Sequence, residues 1–505
     1  MDFEHRTGSS QDRGRTAHSH FDDTNGTDFQ LHQRIVSAPV DFGAIRSEFG
    51  LASEYPAEAV SDARDAVDAF AGTRVDRTDI EFVTIDPPSA LDLDQALHIE
   101  RTPTGFTLHY AIADLGAVIV PGSALAAESE IRGQTHYLPD GNVPLHPTVL
   151  SEGAASLLPG VDRPVALWTI ELDNNAVPLS FSVMRALVRS RERFDYAQVQ
   201  AAADSGTLHP SLVALPEFGR LRIEAGLDQG AISLRLPAQE VVPDGDGWRL
   251  QLEPRTAADD WNEQVSLLTG MCAARIMVEH KGVGLLRTMP PPPASAIESM
   301  RRTAAALGVE WSAGMPVGRM LAGLDANAPA ALVLMSEATG LLRGASYTLL
   351  AELENPTPDQ LTHSAIGAPY AHVTAPLRRL ADRFTTEICL ALCAGVEVPQ
   401  WAVDGLKGAA ETMRRTDAVA NKVDRACVDL TEATVLAPRV GTNFSAVVLR
   451  AANGSRPAEV FVSAPPILAR CEGEPAEGET VVVRLVVADP GTRAIGFAYD
   501  GGVKG

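Results

Sequence analysis

Three aspartates crowd the stretch VTIDPPSALDLDQALHIE: Asp86, Asp92 and Asp94 fall between one apolar run and the next. Clustered carboxylates repel and raise one another's pKa unless a cation neutralises them, so the spacing suits a hard divalent ion such as Mg²⁺ or Mn²⁺. A solvated acidic turn is the simpler alternative, because such turns are common. Here Pro87, Pro88 and the flanking apolar runs stiffen the loop, which favours a built site. A phosphatase-type DxDx[TV] nucleophile motif does not fit, since Ala96 stands where that motif needs a hydroxyl or branched residue.

The elements that must hold these side chains follow from periodicity. Ile45, Phe49, Leu51, Ala59, Ala63, Val67 and Phe70 recur at helical spacing with Pro56 breaking the run, which predicts two short helices. From Ile80 to Val120 the pattern becomes strand-like, in IEFVTID, ALHIERT and FTLHYAIADLGAVIV, with Pro103-Thr104-Gly105 as a hairpin turn. The aspartates therefore belong to a loop between strands. Beyond residue 255 helical patterns dominate: one from Trp261, one from Pro376, and a long one from Leu406 to Leu430 with Leu406, Ala409, Met413, Ala420, Val423, Cys427 and Leu430 as its apolar stripe. The last 70 or so residues return to short β runs, FSAVVLRA, AEVFVSA, ETVVVRLVVAD and RAIGFAYDG, which predict a small barrel.

At 505 residues and 45% hydrophobic content, the chain has room for two or three domains. No apolar stretch approaches the length of a membrane span, and the polar N-terminus lacks the apolar core of a secretory signal, so the expected location is cytoplasmic, with no membrane partner. Residues 1 to about 30 are too polar to bury a core and are expected to be disordered. The five cysteines form no CxxC pair and are expected to be reduced, with Cys389 and Cys393 sharing a buried helix face. A net charge of −23 excludes a generally basic surface for nucleic acid.

The aspartate stretch resembles the signature TIDxxxxxDxDDA of the ribonuclease II (RNB) family. Two further segments agree in order: AIADLGAVIVPGSALAAESEIRGQTHYLPDGNVPLHPTVLSEGAASLLPGVDRPVALW and YAHVTAPLRRLADR, followed by VDRACVD in the long helix. The resemblance implies an α+β fold: an RNB catalytic domain of mixed β-sheets surrounded by helices, at 81–433, and an OB-type RNA-binding barrel at 434–505. A tail at 1–40 and a helical segment at 41–80 precede them. It also implies a 3′-to-5′ exoribonuclease that hydrolyses single-stranded RNA processively to nucleoside 5′-monophosphates with Mg²⁺, Mn²⁺ being able to replace it.

Carried over residue by residue, Asp86, Asp92, Asp94 and Gln95 occupy the four metal positions, with Asp94 indispensable for the chemical step. Gln95 departs from the family's aspartate; an amide oxygen can ligate Mg²⁺ but brings no charge. Tyr137 matches the tyrosine that stacks on the 3′-terminal base. Arg378 matches the arginine at the cleaved phosphate, placed in the first turn of a helix opened by Pro376, with Arg379 beside it as a further RNA contact and Asp382 as an ion-pair partner for Arg378. Asp424 replaces the glutamate that presses the terminal nucleotide on the tyrosine. A narrow basic channel inside an acidic shell would reconcile the net charge with RNA. Only a tail and about 40 largely helical residues precede the signature, so the front cold-shock barrels usual in the family are not expected here, and the C-terminal barrel, with balanced charges and few aromatics, looks weakly equipped to hold RNA. Gln95, Asp424 and these missing barrels also motivate a second reading, an RNB-fold RNA-binding protein with weakened catalysis. A hydrolase of another small phosphodiester is a third. A monomer is the expected state.

Overall fold

The computed structural model describes residues 37–234, 239–252, 255–280, 282–325 and 328–501. The expected disordered tail falls almost wholly outside them. The two short helices form as the spacing predicts, Gly43–Glu48 and Ala57–Arg64, each ending before the apolar pattern resumes.

Eight strands follow: β1 (Val75–Asp76), β2 (Phe82–Ile85), β3 (Gln95–Thr102), β4 (Gly105–Ala113), β5 (His136–Leu138), β6 (Gly141–Val143), β7 (Asp162–Asp173) and β8 (Pro178–Phe194). Six of them make one mixed sheet in the order β1-β8-β2-β3-β4-β7, and β7 also pairs with β8, so the sheet curls back on itself. The long β8 makes this possible. Its first part runs antiparallel to β7, from Leu172↔Pro178 to Asp162↔Arg189, and its end runs parallel to β2, from Phe82↔Ser190 to Ile85↔Phe194. The sheet begins earlier than the expected boundary at residue 81, because β1 already pairs with Ala186 and Leu187.

The β3–β4 hairpin keeps the register Gln95↔Ile112 to Thr102↔Gly105, which fixes where the aspartate loop enters the sheet. The run expected to continue as strand through AVIV turns instead. Asp114 is buried against Arg74 (2.9 Å) and Arg185 (3.1 Å), and a short helix, Leu115–Val118, follows. Phe106, Tyr110 and Trp168 of the sheet share one core with Val265 and Leu268 of helix Ala257–Glu279 and with Phe384 and Ile388 of helix Leu380–Ala394. Each such side chain contributes about 1.5–3 kcal/mol on burial. Cys389 lies in that core, but Cys393, in the last turn before Gly395, is exposed, which corrects its expected burial.

The long helix extends further than its stripe suggests, from Gln400 to Leu436. Its start joins the main core through Leu406, Ala409 and Met413, its middle packs Val423 and Cys427 on Phe42 and Leu138, and Leu436 enters the core of the barrel. The barrel closes through five strands, Asn443–Arg450, Ala458–Ser463, Pro466–Glu472, Ala494–Ala498 and Thr480–Asp489. Pro466–Glu472 is the one the sequence pattern missed: its opening prolines read as a turn, although Ile467, Ala469 and Cys471 alternate inward. No helix among the described residues is long and apolar enough to cross a membrane.

Candidate active site

Three segments distant in sequence meet at an open cavity of about 570 Å³, lined by Asp86, Asp92, Asp94, Gln95, Tyr137, Glu152, Tyr196 and Arg378 among others. The first is the loop from Asp86 to Asp94. The Asp86 N–H donates to Phe194 O (3.0 Å), continuing the β2–β8 pairing by one residue. The Arg193 guanidinium donates to the carbonyls of Pro87 and Pro88, each at 2.7 Å. The Ser156 hydroxyl donates to Leu91 O (2.7 Å) and accepts from Leu93 N–H (3.0 Å). The loop is thus clamped at both ends.

The second segment carries Tyr137. Gly133 ends helix Ala124–Arg132 with φ +72°, where a Cβ would sit 2.6 Å from Thr412 and 2.8 Å from Thr416, so only glycine lets the chain pass the long helix here. Residues 133–135 then pair with the third segment: Leu380 N–H donates to Gly133 O (2.9 Å) and Thr135 N–H to Arg378 O (3.1 Å). This pairing sets the β5–β6 hairpin beside Arg378. The half-exposed Tyr137 places its hydroxyl 3.5 Å from Asp92 Oδ2.

The third segment, Thr374 to Asp382, is held from beneath. Asp382 is fully buried and accepts from Ala375 N–H (2.7 Å) and from the Arg379 guanidinium at 3.0 and 2.8 Å. The expected partner of Asp382 is corrected here: it pairs with Arg379 rather than Arg378, and the Arg379 guanidinium, expected as a further RNA contact, is turned toward Asp382. The helix starts at Leu380, not at Pro376, because Arg379 is extended (φ −136°) and bridged to Gln134. Arg378 consequently projects from a turn, exposed, with its Nε 3.6 Å from Asp94 Oδ2.

Asp94 is buried, and its Oδ1 accepts from Leu377 N–H at 2.7 Å. Burial drives its pKa well above the carboxylate range, against the pull of Arg378. Burial likewise pushes Asp86 up to about 6, opposed by Arg193 and Arg378, and raises Asp92. Asp86 Oδ2 is buried with no hydrogen-bond partner. Hard, crowded oxygen donors with an orphaned buried oxygen fit a divalent cation, although no three acidic, His or Cys side chains among the described residues converge on one point as placed.

Gln95 is different. Its Nε2 donates to Thr374 O (2.6 Å), and its Oε1 accepts from the Tyr110 hydroxyl and, at 3.4 Å, from Ser266. Both ends of the amide are engaged by protein, so its expected place among the metal ligands has no support in the geometry. Asp424 stands apart as well: it is exposed on the long helix and is not among the residues lining the cavity. Glu152 and Tyr196 line the cavity without having been singled out. Glu152 adjoins Ser151 in a segment already noticed, but no spacing ties it to the aspartates. Tyr196 opens a helix after β8, and only the tertiary fold brings it here.

A curled mixed sheet bearing a carboxylate cavity is joined by a long helix to a five-stranded barrel, an architecture that comparison with known proteins identifies. The RNB domain matches residues 74–393, and the RNase II-type exonuclease C-terminal S1 domain matches residues 442–500. The chain belongs to the RNB-domain family, whose exoribonucleases are hydrolytic nucleases and generally depend on divalent metal. It is 26% identical to ribonuclease R of Chlamydia trachomatis over 363 residues, 69% of this chain and 51% of that protein. With ribonuclease R of Escherichia coli it is 28% identical over 349 residues, 66% of this chain and 40% of that one. The chain thus spans about half, or less, of the length of the curated relatives it matches. Among solved structures, the apo form of Mycoplasma genitalium RNase R superposes with a TM-score of 0.80 at 20% identity, covering 90% of this chain and 77% of that one. Yeast Ssd1, a pseudonuclease, superposes at 0.64 with 15% identity, covering 85% and 55%. These likenesses establish the fold.

Proposed function

We propose that the chain is a 3′-to-5′ exoribonuclease that hydrolyses single-stranded RNA processively to nucleoside 5′-monophosphates with Mg²⁺, or Mn²⁺ in its place, acting as a cytoplasmic monomer. The observation that carries this reading is the pairing of buried Asp94 with exposed Arg378 at 3.6 Å, beside the unpartnered Oδ2 of Asp86. A phosphodiester seated there meets a guanidinium on one side and cation-binding carboxylates on the other. Asp86, Asp92 and Asp94 would hold the cation, and residues 74–436 form the catalytic body with the barrel as its companion.

The roles divide by position. When bound, the cation lowers the pKa of water and neutralises phosphoryl charge. Arg378, exposed at the mouth, stabilises the charge gathering on the non-bridging oxygens. Asp94, held by the Leu377 N–H and 3.6 Å from Arg378, is placed to orient the attacking water or take its proton. The new bond joins water oxygen to the last phosphorus, the P–O3′ bond breaks, and O3′ leaves and takes a proton from solvent water, to which the proton of the attacking water is in turn released. The products are a nucleoside 5′-monophosphate and an RNA one nucleotide shorter ending in a 3′-hydroxyl. Tyr137, half exposed beside Asp92, offers a stacking face worth about 1–3 kcal/mol for any base.

A second reading, an RNB-fold RNA-binding protein with weakened catalysis, is favoured by one observation, the engagement of Gln95 by Tyr110, Ser266 and Thr374 in place of a fourth aspartate. A 5′-labelled single-stranded RNA incubated with Mg²⁺ and resolved on a sequencing gel separates the two. The exonuclease reading expects a ladder shortening from the 3′ end, lost by about 10³-fold or more in Asp94→Asn. RNA bound but left intact by both proteins would establish the binding protein instead.

A further inference from the structure

Side chains of β5 alternate, so Tyr137 faces the carboxylate cavity while His136 points to the other side of the hairpin. There a second cavity opens, of about 170 Å³, with Phe49, Leu51, Gln134, His136, Val143 and Arg415 in its wall. One water needs only about 10–15 Å³, so a single bridging water does not account for the space. No step of the proposed chemistry uses it.

The wall of this cavity leaves polar groups unmet. His136 is only 7% exposed, its Nδ1 has no hydrogen-bond partner, and nothing else among the described residues bonds to the ring. Gln134, two residues earlier on the same face, leaves its Nε2 buried without a hydrogen-bond partner. Unpaired polar groups in the interior are destabilising, so two at one cavity point to a partner that the chain does not supply. The charge of that partner follows from the guanidiniums. Arg132 is fully used: it pairs with Glu128 (2.8 Å), the one acidic residue of the wall, and donates to Ala52 O (2.8 Å) and Glu54 O (2.6 Å). Arg415, exposed at the mouth, donates to Ile131 O (2.7 Å), and no carboxylate pairs with it among the described residues. The cavity therefore carries one uncompensated positive charge. Burial, with Arg415 and Arg132 nearby, holds the His136 pKa below its ordinary value, so the ring is neutral and offers one N–H donor and one bare nitrogen.

We propose that this cavity binds a phosphate group, either free orthophosphate or the phosphate of a small ester such as a nucleoside monophosphate. Its negative charge answers Arg415, and its tetrahedral oxygens can accept from the Arg415 guanidinium and the Gln134 amide at once. His136 Nδ1 is met in either tautomer, by a P–O⁻ oxygen if it carries the proton and by a P–OH if it does not. The occupant would join the chain before Ala52, the strand behind Tyr137 and the long helix, and so bear on the hairpin that presents Tyr137. Neither the cation nor the nuclease reading enters into this site.

The test is calorimetric titration of the full chain, without RNA or divalent metal, with orthophosphate, adenosine 5′-monophosphate and acetate, for the wild type, His136→Leu, Arg415→Gln and Arg378→Gln. The phosphates are expected to bind the wild type and Arg378→Gln alike, and to bind His136→Leu and Arg415→Gln about 10-fold or more weakly, the effect of losing a hydrogen bond to a charged group. Tighter binding of orthophosphate would assign the site to the free ion, and tighter binding of the monophosphate to an ester. His136→Leu removes a buried polar group that has no partner, so without ligand it should melt no lower than the wild type, and Arg415 is exposed, so neither loss would reflect unfolding. Unchanged affinity in His136→Leu would overturn the proposal, as would a loss in Arg378→Gln alone, which would place the anion at the carboxylate cavity. Acetate bound as tightly as phosphate, or no binding of either phosphate at millimolar concentration, would overturn it too.

Discussion

The carboxylate-lined cavity and the C-terminal barrel handle charge in opposite ways. The cavity gathers Asp86, Asp92, Asp94 and Glu152 at one place, burial raising the proton affinity of each, and holds them with hydrogen bonds from segments far away in sequence. Leu377 reaches Asp94 across 283 positions, and Gln95 reaches Thr374 across 279. The barrel keeps its interior apolar, with Phe444, Val460, Val483 and Phe497 fully or nearly buried, and pairs its charges on the outside, as in Arg450–Glu459 and Arg484–Asp500. Exposed pairs of that sort contribute little. One region is arranged around electrostatic tension and the other around hydrophobic packing, so a substitution should tell them apart by which quantity it disturbs.

The substitution expected to act most strongly on both stability and activity is Asp382→Ala. It would leave Arg379 without its carboxylate and the Ala375 N–H without an acceptor in a fully buried place. Removing one partner of a buried pair costs about 3–5 kcal/mol. Because the same carboxylate shapes the turn that projects Arg378, kcat per folded molecule should fall about 10²-fold as well, the cost of misplacing a positioned group. Urea denaturation and initial rates under conditions that keep the protein folded would measure the two losses. Stability lost with kcat unchanged would mean that the Arg378 turn does not depend on Asp382.

Phe497→Ala is the counterpart in the barrel. Phe497 is fully buried and meets Phe444 edge to face, with ring centroids 5.7 Å apart. The expected cost is about 3–5 kcal/mol, from lost transfer energy and an unfilled cavity. Below the melting transition kcat should stay at the wild-type level, because no residue of the barrel lines the cavity. A change in kcat would show that the long helix Gln400–Leu436, shared by both cores, transmits barrel packing to the site.

These two regions were also unequally legible in the sequence. The barrel's strands announce themselves by alternation, except Pro466–Glu472, whose opening prolines mask the inward pattern of Ile467, Ala469 and Cys471. The cavity could be found only through its motifs, which placed Asp86, Asp92, Asp94, Tyr137 and Arg378 together. Motifs are silent about what holds them. The Arg379–Asp382 pair is local, at i,i+3, but nothing local reveals that the helix waits until Leu380 because Arg379 bridges Gln134, or that the Gln95 amide is taken up by Tyr110 and Ser266. Both depend on contacts between segments that no periodicity links. Glu152 was invisible for the same reason: only the fold brings a lone glutamate to the cavity wall.

The smallest expected effect lies at the joint between the two regions. Glu432, near the end of the long helix, is buried, and Gln239 Nε2 donates both to its Oε1 (2.6 Å) and to Pro466 O of the barrel (2.6 Å). Burial pushes the pKa of this carboxyl up to about 8 from an ordinary 4.5, against the hydrogen bond from Gln239. Between those values the folded chain binds a proton that the unfolded chain has lost, so this group's contribution to stability is present in acid and fades as pH rises through about 8. Glu432→Gln keeps an oxygen for Gln239 and removes the ionisation. Its melting temperature should match the wild type in mildly acidic buffer and exceed it in alkaline buffer by roughly 2 °C. Parallel melting curves across that range would mean that the carboxylate is solvated at the joint. The opposite sign, stabilisation of the wild type at high pH, would mean that a cationic partner holds Glu432 ionised, as only the cavity carboxylates are expected to be.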